Sequence, residues 1–127
     1  MLDMDALTAA GIDTEEGLAY CADDPAFYEE MLMEFVSEAM SRPEEMERLL
    51  SNADWVKYGI HAHTLKSTSR MIGALTFSER ARELEMAAKA GDGNMIVSRH
   101  ASFAAAYAAL VDAIRKADEQ EREGNHA

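Results

Sequence analysis

The sequence predicts an all-α fold, an antiparallel four-helix bundle with a short additional N-terminal helix or helices. Residues that favour helices (Ala, Met, Leu, Glu, Lys and Arg) dominate the chain, whereas β-branched residues are scarce and only two prolines and seven glycines are present. Apolar residues also recur at steps of three and four, which is the spacing of one helix face. Amphipathic helices with short connectors bury such faces most simply in a bundle.

Two short helices are predicted before the bundle. Residues 2 to 11 contain a turn of helix around Ala6 and Leu7, which Gly11 closes. Asp13 is the expected N-cap of a second short helix, because a glutamate follows three positions later. This second helix should end near Cys21.

The third helix is predicted over residues 25–40, with Asp24 as its N-cap and Pro25 in its first position. Pro43 disfavours helical geometry at Arg42, so we predict a break there and a restarted helix that reaches about residue 51. The inward face of these two segments comprises Tyr28, Met31, Leu32, Phe35, Ala39, Met46, Leu49 and Leu50.

The central helix of the chain should begin after Asp54, its predicted N-cap, and end before Gly73. Apolar or small residues lie along one face of this helix at alternating steps of three and four, so this face should be buried. The face comprises Trp55, Tyr58, Ala62, Leu65, Ser69 and Ile72.

Two further helices complete the predicted bundle. Thr76 and Glu79 should form a capping box at the start of the first of them, and the glycines of residues 91–93 should end it. The last helix should begin at Asn94, and the polar segment 117–127 has no apolar face and is expected to fray. The inward residues are Phe77, Ala81, Leu84 and Ala88 in the first helix and Ile96, Phe103, Tyr107, Leu110 and Ile114 in the second.

Length and charge restrict the function of the chain. Its 127 residues are expected to form a single domain with a bundle core over about residues 12–116. A formal net charge of -12 disfavours nucleic acids and anionic membranes as partners. No segment is apolar enough to span a bilayer, and the acidic N-terminus does not resemble a signal peptide. We therefore expect a cytoplasmic protein. We also expect it to be a monomer.

The histidines and the single cysteine are the candidate reactive groups. Cys21 has no partner for a disulfide and is expected to be a small buried residue. His61 and His63 lie roughly 200° apart around a helix, so they cannot bind one metal ion together. His100 lies near the inward face of the last helix, and His126 lies in the polar tail. We expect no metal site and no cofactor of the chain's own.

His63 differs from the other histidines in its neighbours. It lies beyond the edge of the buried face and should face water. Lys66, one turn later, places an ammonium on the same side of the helix, and Ser67 adds a hydroxyl donor. A cation and donors beside an imidazole suit a phosphoryl group attached to the ring. Spacing alone leaves open a second interpretation, an exposed helix face without a reaction.

Residues 62–74, AHTLKSTSRMIGA, resemble the signature of histidine-containing phosphotransfer (HPt) domains, usually written His-x-Leu-Lys-Gly-x-Ser-x-x-x-Gly. Ser69 and Gly73 match the small positions of this signature. The resemblance extends to segments on both sides, among them residues 28–35, 54–55 and 81–92, and covers about residues 12–115. Ser67 departs from the signature, because glycine usually occupies its position. We interpret this small serine as an additional donor to the phosphate.

The resemblance implies a four-helix bundle in which His63 accepts a phosphoryl group from the aspartate of a response-regulator receiver domain and passes it to another receiver. Lys66 would steady the phosphate. Such a protein is a phosphocarrier without independent turnover, and its partners are receiver domains or a hybrid sensor histidine kinase, with Mg²⁺ bound by the receiver. The alternative is a helical interaction module of the same fold that binds a receiver or kinase without phosphotransfer.

A docking partner must reach the face of the helix that carries His63. The residues predicted to form this interface are Gly59, Ile60, His63, Lys66, Ser67 and Arg70. A small residue followed by an exposed apolar one suits a shallow protein contact. Alternatively, Ile60 packs at the edge of the bundle and Gly59 is merely tolerated. Arg70 can instead pair with a nearby acidic residue.

Overall fold

The computed structural model describes the backbone of residues 2–126 and the side chains of residues 2–119. All regular structure in this part of the chain is helical, which confirms the all-α prediction. The helices are α1 (Met4–Ala9), α2 (Thr14–Tyr20), α3 (Pro25–Glu38), α4 (Arg42–Ser51), α5 (Trp55–Met71), α6 (Leu75–Lys89) and α7 (Gly93–His126). Among the described residues, none of these helices has the length and apolar character needed to cross a membrane.

Aspartate side chains begin several helices where the sequence predicts them. Asp13 accepts a hydrogen bond from the N–H of Glu16 at the start of α2, and Asp54 accepts one from the N–H of Lys57 at the start of α5. Asp24 caps α3 in the same way. Each carboxylate satisfies N–H groups that have no partner within the helix. Local residue choice therefore determines where these helices begin.

Three helix starts differ from the prediction, and the smallest difference is that of α7, which begins at Gly93 instead of Asn94. Helix α4 already includes Arg42, and Pro43 lies in its first turn, where a missing N–H costs nothing because that group would have no helical partner. The capping box of Thr76 and Glu79 is also wrong, because α6 begins directly after Ala74 and has no side-chain cap. The N–H of Ala74 bonds to a carbonyl of the last turn of α5. The turn between α5 and α6 is therefore too short to place Thr76 outside the helix.

The core lies among the helices, with α5 packed along α6, α4 against α5, and α1, α3 and α6 against α7. An aromatic cluster fills its centre, and the rings of Phe77 and Phe103 stack with centroids 4.8 Å apart. The predicted inward faces are buried or partly buried. The fully buried large side chains of the predicted faces are Tyr28, Leu32, Met46, Leu49, Tyr58, Leu65, Ile72, Leu84, Ile96 and Ile114.

The buried core extends beyond the predicted limits of residues 12 and 116. Leu7 in α1 and Ala117 in α7 are both 0% exposed, and the N–H of Asp3 contacts the carbonyl of Ala117 at 3.4 Å. The backbone of the segment expected to fray continues as helix to His126. Its side chains from Gln120 onward lie outside the described residues. Contact with α1 gives the start of this segment an apolar partner that its own sequence does not reveal.

Candidate functional site

His63 lies on the outer side of α5, and 61% of its side chain is exposed. The opposite face of the helix is buried as predicted, because Tyr58, Ala62 and Leu65 are each at most 1% exposed. Trp55 at the first position of the helix is only partly buried. The predicted phase of the helix and the exposure of His63 are therefore confirmed.

A buried carboxylate from the neighbouring helix holds the imidazole. The Nδ1 atom of His63 lies 2.7 Å from Oε2 of Glu85 in α6, and the Glu85 side chain is only 5% exposed. The second oxygen of Glu85 accepts a hydrogen bond from Nζ of Lys66 at 2.9 Å. Lys89, one turn further along α6, places its Nζ 3.5 Å from that same oxygen. One carboxylate thus joins the histidine to two lysines.

The surroundings of Glu85 keep it ionised. Burial raises the pKa of this carboxyl, but hydrogen bonds from Lys66 and His63 and their positive charges outweigh burial, so its pKa lies below its ordinary value. An ionised carboxylate can only accept hydrogen bonds, so Nδ1 of His63 is the donor. In the neutral ring, the lone pair is then on Nε2. The arrangement leaves one nucleophilic nitrogen at an exposed position.

Close approach of α5 and α6 makes this contact across two helices. A Cβ atom added to Gly59 would lie 2.9 Å from the Cβ of Ala88, which is shorter than normal carbon contacts. About two turns further along α5, the carbonyl of Lys66 accepts a hydrogen bond from the hydroxyl of Ser78 in α6 at 2.7 Å. Gly59 therefore has a packing role, which differs from the expectation that it serves only a docking partner or is merely tolerated.

Gly59 and Ile60 lie in a groove next to His63, which we call the apolar groove. Its volume is about 330 Å³. The residues that line it are Trp55, Val56, Gly59, Ile60, His63, Glu85, Ala88 and Lys89. Val56 and Ile60 are 77% and 61% exposed. The alternative that Ile60 packs at the bundle edge is therefore wrong.

Three of the other predicted site residues lie in a second groove of about 320 Å³, which we call the basic groove. It is lined by Tyr20, Lys66, Ser67, Arg70, Met71, Ser78, Glu79 and Arg82. Ser67 and Arg70 are exposed. Lys66 lies on the same side of α5 as His63, as predicted, but it is only 30% exposed and is bound to Glu85. The predicted interface thus divides into two grooves that meet near His63.

The two other histidines whose side chains are described, His61 and His100, have structural partners. Nδ1 of His61 lies 2.8 Å from a guanidinium nitrogen of Arg42, and burial followed by that positive charge lowers the pKa of His61. His100 is buried, with its Nδ1 2.8 Å from the hydroxyl of Tyr58. Cys21 is free and buried, as predicted. The side chain of His126 lies outside the described residues.

Metal-ligand geometry is absent from the described residues, where no group of three or more His, Cys, Asp and Glu side chains could hold a metal ion. Within the same residues, the imidazoles of His61 and His63 have separate partners, Arg42 and Glu85. The site around His63 therefore consists of an imidazole, a carboxylate and ammonium groups.

Glu85 is a residue of the site that the sequence patterns did not predict. It lies four residues after Ala81 and three before Ala88, on the inward side of α6. Charged residues are rarely fully buried unless they are paired. A glutamate at such a position therefore indicates a charged or hydrogen-bonding partner, although the spacing within α6 does not indicate which residue of α5 it contacts.

Comparison with known proteins identifies the family of the chain. The family model described as the Hpt domain matches residues 30–117, which is more than half of the chain. No curated protein and no solved structure shows a significant match. The matched region includes α5 and α6 and hence His63, Lys66 and Glu85. The chain belongs to the Hpt domain family, whose members are phosphocarrier modules for histidine phosphotransfer in two-component phosphorelays.

Proposed function

We propose that this chain is a phosphorelay intermediate that accepts a phosphoryl group on Nε2 of His63 from a receiver aspartate and passes it to another receiver. The observation that carries this proposal is the exposed imidazole whose Nδ1 is bound to the buried carboxylate of Glu85 at 2.7 Å. Membership of the Hpt family supports the reaction class. We further propose that the carrier works as a monomer in the cytoplasm.

The transfer is a displacement at phosphorus. The lone pair on Nε2 forms a bond to phosphorus while the bond between phosphorus and the aspartyl oxygen breaks, and the aspartate leaves as a carboxylate. Positive charge develops on the imidazole during this step. The ionised carboxylate of Glu85 lies on the opposite nitrogen and stabilises that charge without having to reorient. The reverse displacement, onto a second aspartate, completes the relay.

Lys66 and Ser67 would serve the transferred group. Lys66 lies one turn from His63 with its ammonium 2.9 Å from Glu85, so a rotation of its flexible side chain can exchange that carboxylate for the phosphoryl oxygens. Ser67 is exposed and offers a hydroxyl donor in the basic groove. We propose that the receiver brings Mg²⁺ for the acyl phosphate and that the carrier has no turnover of its own.

The test uses receiver domains that have been phosphorylated with acetyl phosphate and freed of the reagent. Transfer should leave acid-labile, base-stable phosphate on the wild-type chain and none on His63→Gln. His61→Gln is the matched control, because it alters a histidine of the same helix that lies away from the site, and it should remain labelled. Equal labelling of wild type and His63→Gln would show that another residue carries the phosphate and would contradict the proposal. No labelling of wild type by any receiver would contradict it as well and would favour a module that binds without transferring phosphate.

A graded test concerns Lys66. Lys66→Ala should keep the fold, because this side chain is partly exposed and Lys89 also lies near Glu85. We expect slower transfer or a shorter-lived phosphohistidine, because a cation beside the phosphoryl group is removed. Circular dichroism measures the fold, the rate of labelling measures phosphotransfer, and the decay of labelled protein measures the lifetime of the phosphohistidine. Unchanged transfer rate and unchanged decay would remove Lys66 from the proposed mechanism.

A further inference from the structure

Charge is distributed unevenly along this acidic chain. Residues 1–54 contain fifteen Asp and Glu but only two Lys and Arg, so this segment carries a formal charge of -13. Residues 55–92, which form α5 and α6, contain four Asp and Glu against six Lys and Arg, a formal charge of +2. The helices that carry His63 and Glu85 are therefore positive in a molecule whose total charge is -12.

The positive charge beside His63 is concentrated in the basic groove. Lys66, Arg70 and Arg82 line it, and its one acidic residue, Glu79, is already bound to Arg82 at 2.9 Å. Arg70 is exposed and forms no ion pair with any other described residue. Arg70 is therefore the cation of this groove that is available to a partner without breaking an ion pair among the described residues.

The apolar groove lies on the other side of His63 along α5. Val56 and Ile60 are the exposed apolar residues there, and both lie before His63 in the helix, whereas Ser67 and Arg70 follow it. A partner that reaches His63 therefore meets apolar side chains toward the start of α5 and cations toward its end. Because two chemically different surfaces lie on opposite sides of one reactive atom, a partner with complementary surfaces fits in one orientation along α5.

We propose that the receiver domain docks in a single orientation, with carboxylates beside its phosphorylated aspartate facing the basic groove and an apolar patch facing the apolar groove. This inference rests on the proposed phosphotransfer function and specifies the chemistry of its partner. Complementary charge raises association rates and sets the register of an interface, whereas burial of apolar side chains stabilises it. The acidic segment of residues 1–54 repels the same carboxylates and disfavours docking on the other faces.

The first part of the test measures the electrostatic contribution by comparing two double variants, in each of which two arginines are replaced by glutamate. Arg70→Glu with Arg82→Glu alters the basic groove. Arg80→Glu with Arg99→Glu makes the same change in net charge at the groove between α6 and α7, away from His63. The pairs are matched, because all four arginines are exposed and each pair includes one arginine bound to a glutamate, Glu79 or Glu83. The probe is the phosphorylated receiver that labels the wild-type chain fastest.

We expect the second-order rate constant of phosphotransfer to fall about tenfold at low salt for the basic-groove pair and much less for the control pair. High salt should reduce this difference, because it screens exposed charges. Val56→Ser with Ile60→Ser should slow transfer to a similar degree at low and high salt. Circular dichroism establishes that each variant is folded before its rate is interpreted.

Equal effects of the two arginine pairs would overturn the inference, because net charge alone would then explain both. An absence of any effect from the basic-groove pair would overturn it as well. If the serine variants became as salt-dependent as the arginine variants, the two grooves would not have the distinct roles assigned to them. These outcomes differ from failure of the proposed function, in which even the wild-type chain is not labelled and this inference falls with it.

Discussion

Replacement of Glu85 tests how the site selects the reactive nitrogen of His63. Glu85→Met keeps a side chain of similar volume but removes the oxygen that accepts the proton of Nδ1, at 2.7 Å. Glu85→Gln keeps a neutral acceptor oxygen and loses the charge. Removal of one partner of an ion pair is costly when the other charge stays buried, but His63, Lys66 and Lys89 are 61%, 30% and 74% exposed and can be solvated by water. We therefore expect both variants to fold.

The size of the tautomer preference that Glu85 imposes depends on how exposed the imidazole is. A hydrogen bond to a charged group contributes about 1.5–3 kcal/mol, but solvent competes at His63, whose side chain is 61% exposed. We therefore take about 1 kcal/mol as the preference that Glu85 imposes for the tautomer with its proton on Nδ1. This preference corresponds to a factor of about five in the ratio of the two tautomers. Glu85→Met should lower that ratio by this factor and slow phosphoryl acceptance by up to the same amount.

Long-range proton–nitrogen correlation spectra of the His63 ring measure the tautomer ratio, and single-turnover transfer from a phosphorylated receiver measures the rate. Glu85→Gln should recover most of the ratio because its amide oxygen still accepts from Nδ1. An unchanged tautomer ratio in Glu85→Met would refute the reasoning. If Glu85→Gln lowered the tautomer ratio as much as Glu85→Met, the acceptor oxygen would not explain the tautomer preference. The effect would then come from the negative charge of Glu85.

Three further predictions concern stability and are measured by urea unfolding. Leu65→Asp should cost more than about 4 kcal/mol by burying a charge at a position that is 1% exposed, whereas Ile60→Asp on the exposed side should leave the fold intact. Gly73→Ala should cost at least about 2 kcal/mol, because φ is +85° and a Cβ would lie 2.0 Å from a carbonyl oxygen at the start of α2; Gly91→Ala, with positive φ but open space, should cost less. Burial and a neighbouring guanidinium lower the pKa of His61 in the folded protein, so the free energy of unfolding should be highest above about pH 6.5 and should decrease as the pH falls through the folded-state pKa. His61→Gln should make this decrease in the free energy of unfolding less steep. An equally steep decrease in that variant would contradict the assignment to His61.

Much of the fold follows from local signals in the sequence. The aspartates that begin α2, α3 and α5 act on N–H groups within three residues, so their effect does not depend on the rest of the chain. The spacing of apolar residues predicts which side of α5 is buried and that His63 is exposed, because helix geometry relates position to direction. These predictions are confirmed because both causes are local.

The incorrect or missing predictions concern contacts between segments. Thr76 has the residue type of an N-cap, but the short turn after α5 draws it into α6. Ala117 is buried close to the contact between the start of the chain and α7, where the N–H of Asp3 lies 3.4 Å from its carbonyl oxygen. Glu85 contacts His63 across a separation of 22 residues, and periodicity in one helix does not specify its partner in another. The element boundaries and the carboxylate of the site depend on such packing.

The close contact between Gly59 and Ala88 has a consequence for transplanting this site into other scaffolds. Residues 62–74 carry the recognisable motif, yet they supply only the imidazole, Lys66 and Ser67. The carboxylate comes from the facing helix, and Gly59 permits the close approach of the two helices across which it contacts the imidazole. A designer who grafts the motif onto an isolated helix would copy the histidine without its counter-ion. The smallest portable unit is the α5–α6 hairpin, with glycine and alanine kept at the crossing.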